Sequence, residues 1–91
     1  MTSSVPPTLG RLKKGQQGVI LRLSPSAMNQ TALPFAEVER RFLEMGLVEG
    51  AKVRLIHEGP FGGDPIVVQV GESRIAIRRN EANAIWIEVT E

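Results

Sequence analysis

The sequence predicts a mostly β fold: a small, strongly bent barrel of about five strands, with one α-helix between strands 1 and 2 and a short helical turn before the last strand. Three observations carry that expectation. From Ala51 to Val89, short segments of alternating apolar and polar residues are separated by tight-turn signals. Val38, Phe42 and Met45 stand four and three residues apart, the spacing of one buried helical stripe. Gly71-Glu72 separates two strand-like runs, with glycine first as a type II′ hairpin turn requires.

Taken in order, Met1 to Pro7 is polar with a Pro-Pro pair and reads as loose, so residues 1–8 form a leader and residues 9–91 the domain. Leu9 and Leu12 can begin the packing, and Lys13-Lys14-Gly15 makes a turn. The first strand runs from Gly18 to Ser24, with Val19, Leu21 and Leu23 on one face and Arg22 on the other. Ile20 breaks that alternation, as a strand covered on both sides would allow. Ser24 to Leu33 is a loop by its Ser, Pro, Asn and Thr content. Pro34 suits the first helical turn, where its missing N–H removes nothing, and Glu37 complements the positive end of the helix dipole. Glu37 and Arg41 stand four apart in the favourable order, a pair worth about 0.3 kcal/mol.

The helix stops at Gly46, which can take the left-handed conformation that closes the terminal carbonyls, with Leu47 folding back onto Phe42. Glu49-Gly50 then forms a turn with positive φ at its second position and leads into a strand from Ala51 to Ile56. Phe42, Met45, Gly46, Leu47 and Gly50 are accordingly the residues expected to determine the fold. In the new strand Val53 and Leu55 point inward, Lys52 and Arg54 outward. Gly59 to Pro65 is a loop. Ile66 to Val70 and Ser73 to Arg78 form the hairpin, whose turn sets Val70 opposite Ser73, Val68 opposite Ile75 and Ile66 opposite Ile77. Asn80 can cap a helical turn through Asn83. In the last strand Ile85, Ile87 and Val89 face inward, and Trp86 and Glu88 outward.

Composition narrows the function. The 91 residues hold one core, and a hydrophobic fraction of 42% is that of a folded chain. The absence of Cys excludes a disulfide framework and any thiolate metal or redox site. The longest apolar runs, such as Val19-Ile20-Leu21, are too short to span a bilayer, and the Met1 end lacks a signal-peptide pattern. The expected location is cytoplasmic. A net charge of +1, aromatics at 4% and no Tyr argue against a dedicated nucleic-acid binder.

The pieces Gly15 with Gly18, Arg41-Phe42-Leu43-Glu44-Met45-Gly46-Leu47-Val48-Glu49-Gly50, Val53, Pro60 with Gly63-Asp64-Pro65-Ile66, Ile75-Ala76-Ile77-Arg78, and Ala82 ahead of Ile87-Glu88-Val89 follow one another in a recognisable order. Together they resemble the FeoA family, the A component of the bacterial ferrous-iron transport system, from about Leu9 to Val89. The resemblance implies an SH3-like barrel, a cytosolic location and an accessory role beside the membrane iron permease (FeoB-type) with its cytosolic GTPase domain. Two departures stand out: Glu49 occupies a position where the family usually has Pro, and the loop from Ser24 to Leu33 is longer than usual. The shared residues are mostly fold residues, so the resemblance transfers no catalytic group.

The candidate sites are few. His57-Glu58 is the one place where a metal-ligand pair can begin, but one His and no Cys do not complete a soft-metal site. Ile56 breaks the alternation beside His57, which points to a bulge there. Gly59 to Pro65 lacks the Lys, Ser/Thr and following helix of a phosphate-cradling loop. Phe61 is either free at that loop's tip for a partner or folded back over the barrel end. Arg74 and Arg78 share the outward parity of the hairpin and can form a basic stripe with Arg79, Lys52 and Arg54 nearby, better suited to an acidic protein surface than to DNA. Trp86 is expected to be partly buried under the helix or the loop from Ser24 to Leu33, and is a hot-spot candidate if exposed. The partner-binding candidates are thus Phe61, Trp86, Arg74 and Arg78, with no metal, no cofactor, no nucleic acid and no enzymatic activity expected. Competing readings are a module like the SH3-like domain of iron-dependent repressors and a peptide-binding barrel for Pro-rich ligands. Short barrel edges leave a homo-oligomer open.

Overall fold

The computed structural model describes residues 6–28 and 33–90. Five strands, β1 (Gln17–Leu23), β2 (Lys52–Gly59), β3 (Gly63–Val70), β4 (Ser73–Ile77) and β5 (Ile85–Thr90), form one sheet in the order β4-β3-β2-β1-β5. Every pairing is antiparallel. The helix α1 (Phe35–Glu44) lies between β1 and β2, and the four-residue α2 (Arg79–Ala82) precedes β5. Short 3-10 turns occupy Leu9–Arg11 and Pro25–Ala27. This is the mostly β architecture that the sequence predicts, with the elements in the expected order.

The core collects apolar side chains from every strand and from α1. Phe42, Leu47, Leu55, Ile66, Ile85 and Ile87 are all at most 1% exposed. On α1, Val38 and Phe42 are buried while Phe35 and Met45 pack partly against the core, which is the expected stripe. Pro34 stands one position outside the helix, as its N-cap. Glu37 pairs with Arg40 at 2.7 Å and not with Arg41, whose guanidinium lies 4.0 Å from Glu81 instead. The partner across the fold competes successfully because exposed pairs within a helix contribute only a few tenths of a kcal/mol.

The helix end follows the local chemistry closely. Gly46 has φ +89°, its N–H donates to the Leu43 carbonyl at 3.1 Å, and the Leu47 N–H donates to the Phe42 carbonyl at 2.9 Å. Those two bonds close the last turn in a Schellman motif and bring Leu47 into the core. Next, the Ala51 N–H donates to the Val48 carbonyl at 3.0 Å with Gly50 at φ +87°, the expected turn. A Cβ at position 46 would have only the Val70 side chain within reach, at 3.9 Å, so space is not what demands glycine there. Backbone conformation is. Gly46→Ala is expected to cost about 1 kcal/mol and the β-branched Gly46→Val roughly 2 kcal/mol, read as a stepwise fall in thermal midpoint. A Gly46→Val variant that melts like the wild type would contradict this account of the helix end.

The hairpin register is the predicted one: Val70 faces Ser73, Val68 faces Ile75 and Ile66 faces Ile77. Elsewhere the strands differ from expectation. In β1 it is Ile20, 1% exposed, that faces the core, while Val19 and Leu21 are only half-buried. The register between β1 and β5 shifts between Ile20 and Arg22, so an extra residue at Leu21 resets the alternation and brings Leu23 back against the core. A second shift, between Leu55 and His57, is the bulge that Ile56 foretold, and it leaves His57 exposed. β2 and β3 both run longer than expected: Gly59 pairs with Gly63, so Asp64 and Pro65 belong to β3 and only Pro60 to Gly62 remain as a tip. At the far end of β5, Val89 is 40% exposed because the strand outruns the core.

The N-terminal segment is tied in from Pro7 onward. The Pro7 carbonyl accepts from the Ile87 N–H at 3.0 Å, Thr8 bridges to Trp86, and the Thr8 hydroxyl donates to Asn83 Oδ1 at 2.6 Å. The expected leader, residues 1–8, therefore lends its last two residues to the sheet, while residues 1–5 lie outside the described residues. Four residues of the expected loop from Ser24 to Leu33, residues 29–32, also lie outside them.

Candidate functional site

Arg79 is where the chain's distant parts meet. Its Nε donates to the Gly63 carbonyl at 3.0 Å, and its Nη1 to the carbonyls of Gly10 and Leu12 at 3.0 and 2.8 Å. Nη2 pairs with Glu58 Oε2 at 2.9 Å. The Arg79 backbone N–H donates to Asp64 Oδ1 at 2.9 Å, so a carboxylate from β3 caps α2, where Asn80 was expected to do so from within the turn. One guanidinium thus joins the N-terminal 3-10 turn, β2, β3 and α2. This removes Arg79 from the expected surface patch and commits Glu58 to structure, away from any pairing with His57 as a ligand. Sequence pattern gave no sign of this role, because most of the acceptors are backbone carbonyls.

That hub anchors the base of the β2–β3 tip. Phe61 projects from the tip and is 82% exposed, which settles its disposition: free, not folded over the barrel end. Its backbone N–H donates to the Asp64 carbonyl at 3.3 Å. Trp86 is half-buried, and the Arg22 guanidinium lies over its ring at 5.1 Å from the centroid. Among the described residues its buried indole Nε1 has no hydrogen-bond partner. The cover over Trp86 in the described residues is therefore partly a stacked cation.

Arg74 and Arg78 are both exposed, Arg74 within β4 and Arg78 just past its end. Arg74 lies opposite Gln69, in a cross-strand row that continues through Arg54 and Gln17 to Thr90. Arg78 stands at the start of α2 and borders a depression of about 620 Å³ with Leu33, Arg41, Pro65 and Glu81. Two neighbouring charges in that depression are already engaged, Glu81 with Arg41 and Asp64 with the α2 N-terminus. Among the described residues no three His, Cys, Asp or Glu side chains gather into a potential metal site.

A single antiparallel five-stranded sheet closed by one helix after β1 places the chain in the class of small SH3-like barrels, and its sequence matches the FeoA domain over residues 8–89. The chain belongs to the FeoA family, SH3-like proteins associated with ferrous iron transport. The zinc-complexed FeoA of Stenotrophomonas maltophilia is 33% identical over 89% of this chain and 88% of that one, with a TM-score of 0.70; it is described as a procaryotic SH3 domain protein proposed to act as a bacterial ferrous iron transport activating factor. FeoA of Chlorobium tepidum is 31% identical over 92% of this chain and 70% of that one, with a TM-score of 0.72. A manganese-dependent transcriptional repressor, 22% identical over 94% of this chain and 44% of its own, has a TM-score of 0.70 and shares the fold. No curated protein sequence gives a significant match.

Proposed function

We propose that this chain is a cytoplasmic, non-catalytic accessory protein of ferrous iron transport, which regulates a FeoB-type iron permease by binding its cytosolic GTPase domain. The observation that carries the reading is family membership across residues 8–89, with a relative at 33% identity described as a proposed transport activating factor. Among the described residues no helix is long and apolar enough to cross a membrane, and in this reading the link to the permease is protein contact. Phe61 is the apolar anchor, and Arg78, which borders the same depression as Asp64 and Pro65 at the base of the β2–β3 tip, supplies nearby charge. Trp86 contributes through the Arg22 stacked on it, while Arg74, at the opposite end of β3, belongs to a separate surface. An exposed aromatic at a loop tip can fill a partner's pocket, where a few buried anchors carry most of the binding energy.

Calorimetry against the isolated GTPase domain, with and without a GTP analogue, is expected to show saturable binding. Phe61→Ala should weaken it roughly tenfold with an unchanged thermal midpoint, since the side chain touches little of the fold. Absence of binding in both nucleotide states would overturn the reading. The repressor-type alternative rests on fold likeness, and a gel shift at moderate salt separates the two.

A further inference from the structure

The outer face of β1, β2 and β3 carries a groove of about 570 Å³, bordered by Gln17, Val19, Lys52, Arg54, Gln69 and Thr90. Cross-strand register explains its chemistry. Thr90, Gln17, Arg54, Gln69 and Arg74 lie side by side across all five strands, and Lys52 stands opposite Val19 in the next outward row. Lys52, Arg54 and Arg74 are exposed, and no ion pair among the described residues uses any of them. The acids closest in register are Glu88, across Val19 from Lys52, and Glu72 in the β3–β4 turn; both are exposed and neither is bonded to these cations. Gln69 donates its amide to the Gly71 carbonyl at 3.3 Å, which holds it in line between the two arginines.

We propose that this groove, together with the cross-strand row that continues from it to Arg74, binds an extended acidic segment of a protein partner, with Arg54 and Arg74 taking carboxylates from two residues three apart. Strands two steps apart in a sheet are separated by about 10 Å. A polyproline II chain advances about 9.3 Å in three residues and returns its side chain to the same face. An Asp or Glu at each third position of such a chain therefore meets Arg54 and Arg74 in turn, and guanidinium forks grip carboxylates in two-pronged bonds that an ammonium does not form. Lys52 adds charge at the groove's side. The row contains no aromatic side chain on which a base could stack. Where the partner is concerned, the inference rests on the proposed protein-contact function; it adds a second surface, distinct from Phe61 at the loop tip.

The probe is a fluorescently labelled peptide with Glu at every third position in a Pro/Ala background, titrated with the full chain and read by anisotropy. Its Gln analogue and a labelled oligothymidylate are run beside it. The Glu peptide is expected to bind, to weaken as salt rises, and to lose at least about tenfold in affinity in the Arg54→Glu/Arg74→Glu variant. Arg11→Glu, an exposed reversal elsewhere, should leave it unchanged. Equal binding of the Gln analogue, indifference to the double reversal, or tighter binding of the oligonucleotide overturns the proposal. The same double variant is then compared with wild type on the permease GTPase domain. If wild type and variant bind it equally, the groove is not the partner surface while the accessory role stands; if wild type does not bind it, the accessory role fails and the peptide titration alone judges the groove.

Discussion

Arg79→Ala is expected to lower stability by about 3 kcal/mol. The guanidinium is the common donor for the carbonyls of Gly10, Leu12 and Gly63 and the counter-charge of Glu58. Truncation leaves all four acceptors short at once. The Arg79 side chain is 22% exposed, so water can replace part of what is lost but not the whole fork. For a domain of this size each kcal/mol shifts the thermal midpoint by roughly 4–8 °C, which places the variant about 12–24 °C below wild type. Arg79→Lys keeps the charge facing Glu58 but cannot span acceptors on three separate segments, and should recover about half of the loss. In the Glu58→Gln background, Arg79→Ala should cost less than it does alone, because no carboxylate is then stranded. An Arg79→Ala protein that melts with the wild type would show that the hub is not what joins the N-terminal turn to α2.

The contrast between Arg79 and the helix end shows what a sequence can and cannot disclose. The features legible beforehand were those closed within a few residues. Gly46 follows a periodic apolar stripe, and Gly71-Glu72 fixes the register of six flanking residues through its own turn geometry. Arg79 shares its sequence neighbourhood with Arg74 and Arg78, and nothing local distinguishes the three. What sets it apart is that Gly10, Leu12, Glu58 and Gly63 converge on it from far along the chain, and three of those partners offer only backbone oxygen. Bulges hide for a related reason. Ile20 looked like the exception on its strand because alternation was counted straight through Leu21, where the register in fact shifts. The site was less legible than the fold. Parity placed Arg74 outward correctly, but only the pairing of β2 with β3 and β3 with β4 puts Arg54 in the same row, with Gln69 between them.

Gly18→Val is expected to destabilise the domain by about 3 kcal/mol or more, for a reason opposite to that at Gly46. Gly18 sits in the middle of the β1 pairing, opposite Val53 on one side and Val89 on the other, and is buried. A Cβ built there would stand 2.5 Å from the Glu88 carbonyl oxygen and 3.2 Å from the Val89 Cα. Those are backbone atoms of β5, which no rotamer change can move aside. Any side chain must therefore push β5 away from β1, and the ladder between them breaks along with the packing of Ile85 and Ile87. Gly18→Ala should already cost about 2 kcal/mol, more than Gly46→Ala, although alanine is conformationally at ease at position 18 and strained at position 46. Thermal melts of the two alanine variants side by side decide the matter. If Gly18→Ala proved the milder of the two, β1 and β5 would not approach as closely as the sheet requires, and the glycine pair at positions 15 and 18 would owe its presence to the turn alone.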